Sequence, residues 1–555
     1  MKAKKGILFI AVLLVLSSCN DYFEYENQAF LKEKLVFSDY NYIKQVLTNA
    51  YTQLPVSFNG IDNGMLASAS DEAEHAWDYS RIQLFNSGNW DAYNNPDDVW
   101  TKQYLAIRRA NVFLNGTDTT SFREFQYVDD ITYNRYHAEL KQFRAEAKFL
   151  IGFFYFELLK RYGGVPIVDR VLSIDEDLNL PRNSVPEVVN FIVAQCDSAI
   201  KVLPLVYDAN NSGRATKGTA YALKSRVLLY AASPLYNNGK YDLTLCDQAA
   251  KAASEFLTGS LKSTYTLQTG YGSLFTRNWT SKEMIFERRE ANANYFEKAN
   301  FPIGFDGSGV GATSPSQNLV DAYEMANGKA ITDPSSGYNP ADPYKNRDPR
   351  LAQTIILNNS TFSKRAIELW TGGLDGKGKE KASKTGYYLR KYQDDELDLL
   401  QNRTSRHTWY YFRLGEMYLN YAEAMNEAYG PLDSKYGLSA VAAVNAIRTR
   451  AGMPVLQPAD YASAEILREK IRNERRIELA FEDHRSWDVR RWKIAESTLG
   501  GDLTGMDIVK NADGTFKYTP YVVEKRVFAP KMYYYPIPNS EILKQKNLVQ
   551  NSGWF

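Results

Sequence analysis

The chain has 555 residues and a net charge of +1, with 66 Lys and Arg against 65 Asp and Glu. That balance argues against a nucleic-acid binder, which needs excess cations to replace phosphate counterions. Three cysteines exclude a disulfide scaffold, and His75, His137, His407 and His484 show neither HExxH nor paired metal-ligand spacing. The composition is globular, 44% hydrophobic and 24% charged. It is rich in aromatics, with 39 Tyr, 27 Phe and 9 Trp. Tyr and Trp join an apolar ring to a hydrogen-bonding tip, which suits wet binding surfaces.

In chain order, Lys2, Lys4 and Lys5 precede an apolar run from Ile7 to Leu16. The run is too short to span a bilayer, which takes about 20 residues, and fits a secretory leader. Leu16-Ser17-Ser18-Cys19 closes it as a lipoprotein box, so 1–18 is read as signal peptide and Cys19 as the lipidated residue. The acidic, aromatic stretch Asn20 to Glu26 reads as a surface-export signal. Cys196 and Cys246 lie in helical patterns, where a disulfide and two buried thiols are both open.

The strong periodic signals are helical. Arg144–Arg161 is apolar on most sides and stops at Gly163-Gly164 and Pro166. Thr216 caps a helix that runs to Tyr230. Leu414, Met417, Tyr418, Tyr421, Ala422 and Met425 make one apolar face. Further helices are predicted over about 438–450 and 462–482, the first stopped by Gly452 and Pro454. The picture is a mainly α chain of tetratricopeptide-like helical pairs with a few short strands. Long aromatic-rich loops at about 55–98, 205–215, 259–282, 290–318, 327–347 and 359–385 lie over one side of it.

Motifs for catalysis are weak. Gly307-Ser-Gly-Val-Gly-Ala312 has no helix opening after it, so it reads as a flexible loop rather than a dinucleotide turn. Gly213-Arg-Ala-Thr-Lys-Gly218 lacks the Gly-Lys-Ser/Thr end of a phosphate loop and reads as a turn into a helix cap. Glu474, Glu478 and Glu482 share one helical face beside Arg475, Arg476 and His484. A glycosidase needs carboxylates facing each other across a sugar; carboxylates stacked along one helix among arginines form a structural ion-pair network instead. No catalytic residue, metal site or cofactor is therefore predicted, and a structural calcium ion has no loop of EF-hand spacing to support it.

The binding candidates are aromatic residues interleaved with polar ones, because sugars stack their C–H faces on rings while acids, amides and arginine bond the hydroxyls. These are Trp77, Asp78, Tyr79, Arg81, Trp90 and Tyr93, then Trp279, Tyr295 and Phe296, and Trp370 in a glycine-rich loop. Trp100 belongs to a helical pattern with Tyr104 and Ile107 and is assigned to the core.

A set of segments, in order along the chain, resembles the SusD/RagB family of outer-membrane nutrient-binding lipoproteins. They are Arg144–Leu150 with Tyr155–Pro166, Gly213–Gly218 with Arg226–Pro234, Asp348–Leu351, Arg413–Glu423, Asn445–Pro454, Asn473–Glu482 with His484–Asp488 and Arg491-Trp492, and Tyr535–Ile542 with Gln550–Trp554. The resemblance implies one SusD-like domain over 19–555, with an N-terminal part over about 19–235 and a C-terminal part over about 265–555. It implies a non-catalytic protein, lipid-anchored in the outer membrane and facing the extracellular side. Such a protein captures an oligosaccharide, with an oligopeptide as the alternative, and passes it to a SusC-like TonB-dependent transporter. Loop position within the family favours Trp77 and Tyr79, after Ser70–Ala73, and Tyr295 and Phe296, after Glu283–Glu287.

Overall fold

The computed structural model describes residues 33–173, 175–277 and 280–554. Cys19, with the leader, and Trp279 lie outside the described residues. Among those described, no helix is long and apolar enough to cross a membrane.

Ten helices carry the scaffold: α1 (Tyr40–Tyr51), α2 (Trp100–Gly116), α3 (Asp130–Tyr162), α4 (Val185–Ile200), α5 (Lys217–Ala232), α6 (Leu243–Leu257), α7 (Leu414–Tyr429), α8 (Ala440–Arg450), α9 (Ala464–Glu478) and α10 (Arg485–Arg491). From α2 to α8 each packs on the next in the chain, the arrangement of stacked helical pairs. α7 docks on α6 although residues 258–413 intervene, so the repeat stack is interrupted by a large insertion. The strands are short: β1 (Ala73–His75) pairs antiparallel with β3 (Thr313–Pro315), β2 (Met284–Arg289) with β4 (Thr408–Arg413), and β5 (Asp502–Lys510) with β6 (Phe516–Lys525).

Local chemistry explains these boundaries. α3 begins where the Asp129 carboxylate accepts the Thr132 N–H at 3.0 Å, and it ends at Gly163 with φ +74°. Its C-terminal half buries Phe149, Phe153, Phe154, Tyr155 and Phe156, so it runs through the middle of the core. Thr216 caps α5 as its sequence predicts. Glycine is required at 218, in the first turn of that helix, because any Cβ there would sit 2.2 Å from the Tyr265 hydroxyl. α9 stops at Glu478, earlier than its periodicity predicts, because Phe481 and Asp483 adopt φ of +62° and +59°. Cys196 and Cys246 are buried free thiols rather than a disulfide, and burial pushes both upward in pKa.

A buried ion-pair network joins the insertion to the repeat stack. Arg413, at the β4–α7 junction, donates to Glu482 at 2.6 Å, Glu478 at 2.7 Å and Glu283 at 2.8 Å. Arg350 bonds Asp348, Glu474 and Glu478, and Lys391 bonds Glu482 at 2.7 Å. Arg413 and Arg350 are almost completely buried, so each charge must be matched where it lies. Thus the row Glu474, Glu478 and Glu482 is a structural network, with Glu482 reaching it from just beyond the helix end.

Removing one partner leaves the others buried and unmatched. Arg413→Ala is therefore expected to destabilise the fold by about 3–5 kcal/mol, read as a lower denaturant midpoint. Arg413→Lys should recover less than half of that, because one ammonium cannot reproduce the forked contacts. Acid should act through the same physics. Burial alone would raise the carboxyls of Asp71, Glu157 and Glu423, but neighbouring Arg and Lys side chains outweigh it and hold each at about 2. Their stabilisation is complete above the unfolded-state values near ~4 and is lost as pH falls through about 2. The melting temperature should therefore fall steeply below about pH 4.

Candidate functional site

β1 aims the best candidate side chains. It continues past His75 as Ala76 donates to the Ala312 carbonyl at 3.2 Å, which brings Trp77 onto the backbone that leads into β3. The Trp77 ring packs on a small apolar floor of Ala299, Val310 and Ala312. The glycine run 307–312 is therefore an ordered wall rather than a flexible loop, with a strand following it. Glycine is needed at 311, where a Cβ would approach Tyr388 to 2.5 Å, and at 309, where it would approach the Lys298 carbonyl to 2.9 Å.

His75 and Asp62 fix the Trp77 backbone. The Trp77 N–H donates to His75 Nδ1 at 3.0 Å, so Nε2 carries the proton and donates to the Asp62 carbonyl at 3.0 Å. Burial holds the His75 pKa below its usual value, which keeps this neutral form. Gly64 makes room for the ring; a Cβ there would lie 2.3 Å from the imidazole. The Asp62 carboxylate accepts the Arg81 N–H at 2.6 Å and the Arg81 guanidinium at 3.4 Å, closing the loop that carries residues 77–81.

On that support Trp77 and Tyr79 stack at 5.3 Å between centroids and 20° between planes. Trp77 is half-buried, while Tyr79 is 78% exposed and presents an open ring. Asp78, beside them, is exposed and meets Lys384 Nζ at 2.5 Å. Lys384 also lies 3.5 Å from the buried Glu74. Burial alone would raise the Glu74 carboxyl; the Arg526 guanidinium at 2.7 Å is the largest of the influences that bring it below its usual value. Tyr295 opens the short helix Tyr295–Asn300, one turn before Ala299, and so lies on the same side of that helix as the Trp77 floor. It is 38% exposed, and burial of its remainder pushes the hydroxyl up to about 12.

The remaining candidates lie elsewhere. Trp90 is a core anchor, buried among Phe85, Tyr535 and Trp554, because its loop folds back onto the C-terminal segment. Phe296 is fully buried against Phe58, Tyr392 and His407, since it occupies the inward side of the helix that Tyr295 opens. Neither can meet a ligand in this arrangement. Tyr93 is 77% exposed on a turn closed by Asp91, in a loop whose Ala92 carbonyl bonds Asn539. Trp370 is half-buried, with Phe516 at 5.3 Å and the Lys510 ammonium 4.6 Å from its centroid. The supporting roles of His75, Asp62 and Lys384 are not visible in the sequence. These residues come from separate segments, and only the His75-Ala-Trp77 spacing carries a local signal.

The carboxylates near His484 offer no acid–base pair. Glu474, Glu478 and Glu482 are engaged by guanidinium or ammonium groups, and burial, with nearby arginines, keeps the His484 pKa well below its ordinary value. Among the described residues, no group of three or more His, Cys, Asp or Glu side chains could hold a metal ion.

Fold and site together define a helical-repeat protein that carries a loop-built aromatic shelf. A SusD-family model matches residues 282–554, and a second model, described as starch-binding and associating with the outer membrane, matches residues 21–229. The chain belongs to the SusD family. A SusD-like protein from Bacteroides fragilis is 29% identical and superposes with a TM-score of 0.78, covering 94% of this chain and 98% of its own. A SusD-like carbohydrate-binding protein from the same species is 25% identical with a TM-score of 0.74, covering 93% and 100%. SusD-like protein P2 of Formosa agariphila is 23% identical over 99% of both chains.

The two tryptophans of the N-terminal loop should separate cleanly. Trp90→Ala is expected to cost about 3–5 kcal/mol of stability, measured by denaturant unfolding. Trp77→Ala, on a small floor at the surface, should cost less than half as much. Equal losses would contradict their placement.

Proposed function

We propose that this chain is a surface lipoprotein that captures an oligosaccharide and hands it to a SusC-like TonB-dependent transporter, without cleaving it. The supporting observation is the Tyr79–Trp77 stack: an open ring on an apolar floor, flanked by the hydrogen-bonding groups of Asp78, Arg81 and Lys384. A pyranose laid on Tyr79 would bury its C–H face while those groups met its hydroxyls. Tyr295, on the short helix that also carries Ala299 of the floor, would add a further ring to the surface. The family assignment and the carbohydrate-binding relative from Bacteroides fragilis support the same ligand class. Outer-membrane attachment through Cys19 fits the family description, and a tethered capture protein needs a channel beneath it, which is the role given to the transporter.

Calorimetric titration of the mature chain against a glycan panel and a protein digest tests this reading. At least one glycan should bind and remain intact. Tyr79→Ala and Trp77→Ala should each lower its affinity by about 1–3 kcal/mol, judged from aromatic stacking on other flat rings, or roughly 5- to 150-fold. Binding confined to the digest, or a glycan affinity unchanged in both variants, would contradict it.

A further inference from the structure

The glycine-rich loop after Trp370 carries four lysines within eight residues, Lys377, Lys379, Lys381 and Lys384, in a chain whose net charge is only +1. The loop's own acids are fewer, and the other carboxylates that meet these lysines, Asp507 at Lys377 and Asp78 at Lys384, come from outside it. Asp375 is buried and is consumed by Arg365, with both guanidinium contacts at 2.7 Å, so it projects little field outward. Glu380 is the remaining acid of the loop, 88% exposed and 3.9 Å from Lys381. Lys379 donates to a backbone carbonyl, that of Leu374, at 3.0 Å.

The loop runs along the rim of the aromatic shelf. The Lys381 carbonyl accepts the N–H of Gly311, next to the Ala312 that floors Trp77. Lys384 reaches Asp78, between the two stacked rings in sequence. The Tyr521 hydroxyl donates to the Lys384 carbonyl, and the Lys377 ammonium stands 3.6 Å from the Tyr521 ring centroid and 3.6 Å from Asp507. At the other end of the loop, Lys510 lies over Trp370. Gly372 and Gly378, at φ +93° and +95°, turn the chain so that the lysines follow one another closely.

The carboxylates that meet Lys377, Lys381 and Lys384 lie at the surface, at 3.6, 3.9 and 2.5 Å, where ion pairs are weak and can be exchanged for a ligand's acidic groups. A lysine ammonium is a compact, mobile point charge suited to carboxylate or sulfate oxygens. We propose that the shelf takes an anionic oligosaccharide, one that bears uronate carboxylates or sulfate esters, and that Lys377, Lys379 and Lys381 supply its counter-charge. This rests on the reading that the Trp77–Tyr79 shelf holds a glycan, and it adds the charge class of that glycan.

Calorimetry on the soluble chain 20–555, without the leader and Cys19, tests it with two matched pairs: oligogalacturonate against its methyl ester, and a sulfated galactan oligomer against its desulfated form. In at least one pair the charged member should bind about tenfold or more tighter at low salt. The pair that responds distinguishes carboxylate from sulfate. The advantage should shrink toward 1 M salt, where the screening length falls to about 3 Å. The triple variant K377A/K379A/K381A should lose most of it with an unchanged melting temperature, and the matching Lys→Arg triple should keep it. If neutral members bind as well as charged ones, or a neutral glucan is the sole binder, the charge assignment is overturned and the shelf stands. Absence of binding by every glycan, charged or neutral, removes the shelf reading and this proposal together.

Discussion

Burying arginines among carboxylates is the constraint on which the rest of this structure depends. Arg413 and Arg350 sit in the interior, where an unmatched charge costs several kcal/mol, so the segments that bring their partners are locked in one arrangement. Those partners come from far apart: Glu283 from the start of β2, Asp348 from the insertion, Glu474 and Glu478 from α9, and Glu482 from the turn beyond it. The same device reaches the candidate site. Asp71, two residues before β1, is held by Arg476 and Arg485, and Glu74, within β1, by Arg526. The strand that leads into Trp77 is thus pinned to the helical scaffold by charge.

The division of labour follows from where backbone can be laid. Helical pairs satisfy their own hydrogen bonds and bury one another's faces. The interruption at 258–413 adds short strands and loops to that stack, and the floor of the shelf comes from it. The shelf lies where that insertion meets the loop after β1, so its floor comes from within the interruption and its rings from the chain before it. Rigid floor, fixed histidine tautomer and exposed ring are the ingredients of a preorganised platform, which loses little entropy when it meets a flat ligand face.

Much of the scaffold was legible in the sequence because helices announce themselves locally. Thr216 as a cap, Gly163 as a stop and the apolar face from Leu414 to Met425 each depend on neighbours within a turn or two. The end of α9 was not legible: the periodicity runs on to Glu482, while the left-handed residues that break it are set by tertiary contacts. The site was legible in part. Composition marked a whole loop as aromatic and polar, but it could not tell Tyr79, which faces water, from Trp90, which meets Tyr535 and Trp554 more than 400 residues away. Phe296 and Tyr295 are adjacent and point to opposite fates for the same reason, since the side of a six-residue helix that faces inward is decided by what packs on it. Lys384 had no local signal, because its meaning comes from Asp78, 306 positions earlier.

The account stands on ligand contact at the Tyr79–Trp77 shelf. Hydrogen–deuterium exchange, compared with and without a saturating glycan, reads that contact without altering any side chain. It should show new protection concentrated in residues 73–81, 298–312 and 371–386. Protection confined to other surfaces, such as the cleft lined by Lys44, Tyr51 and Arg214, with these segments unchanged, would contradict it.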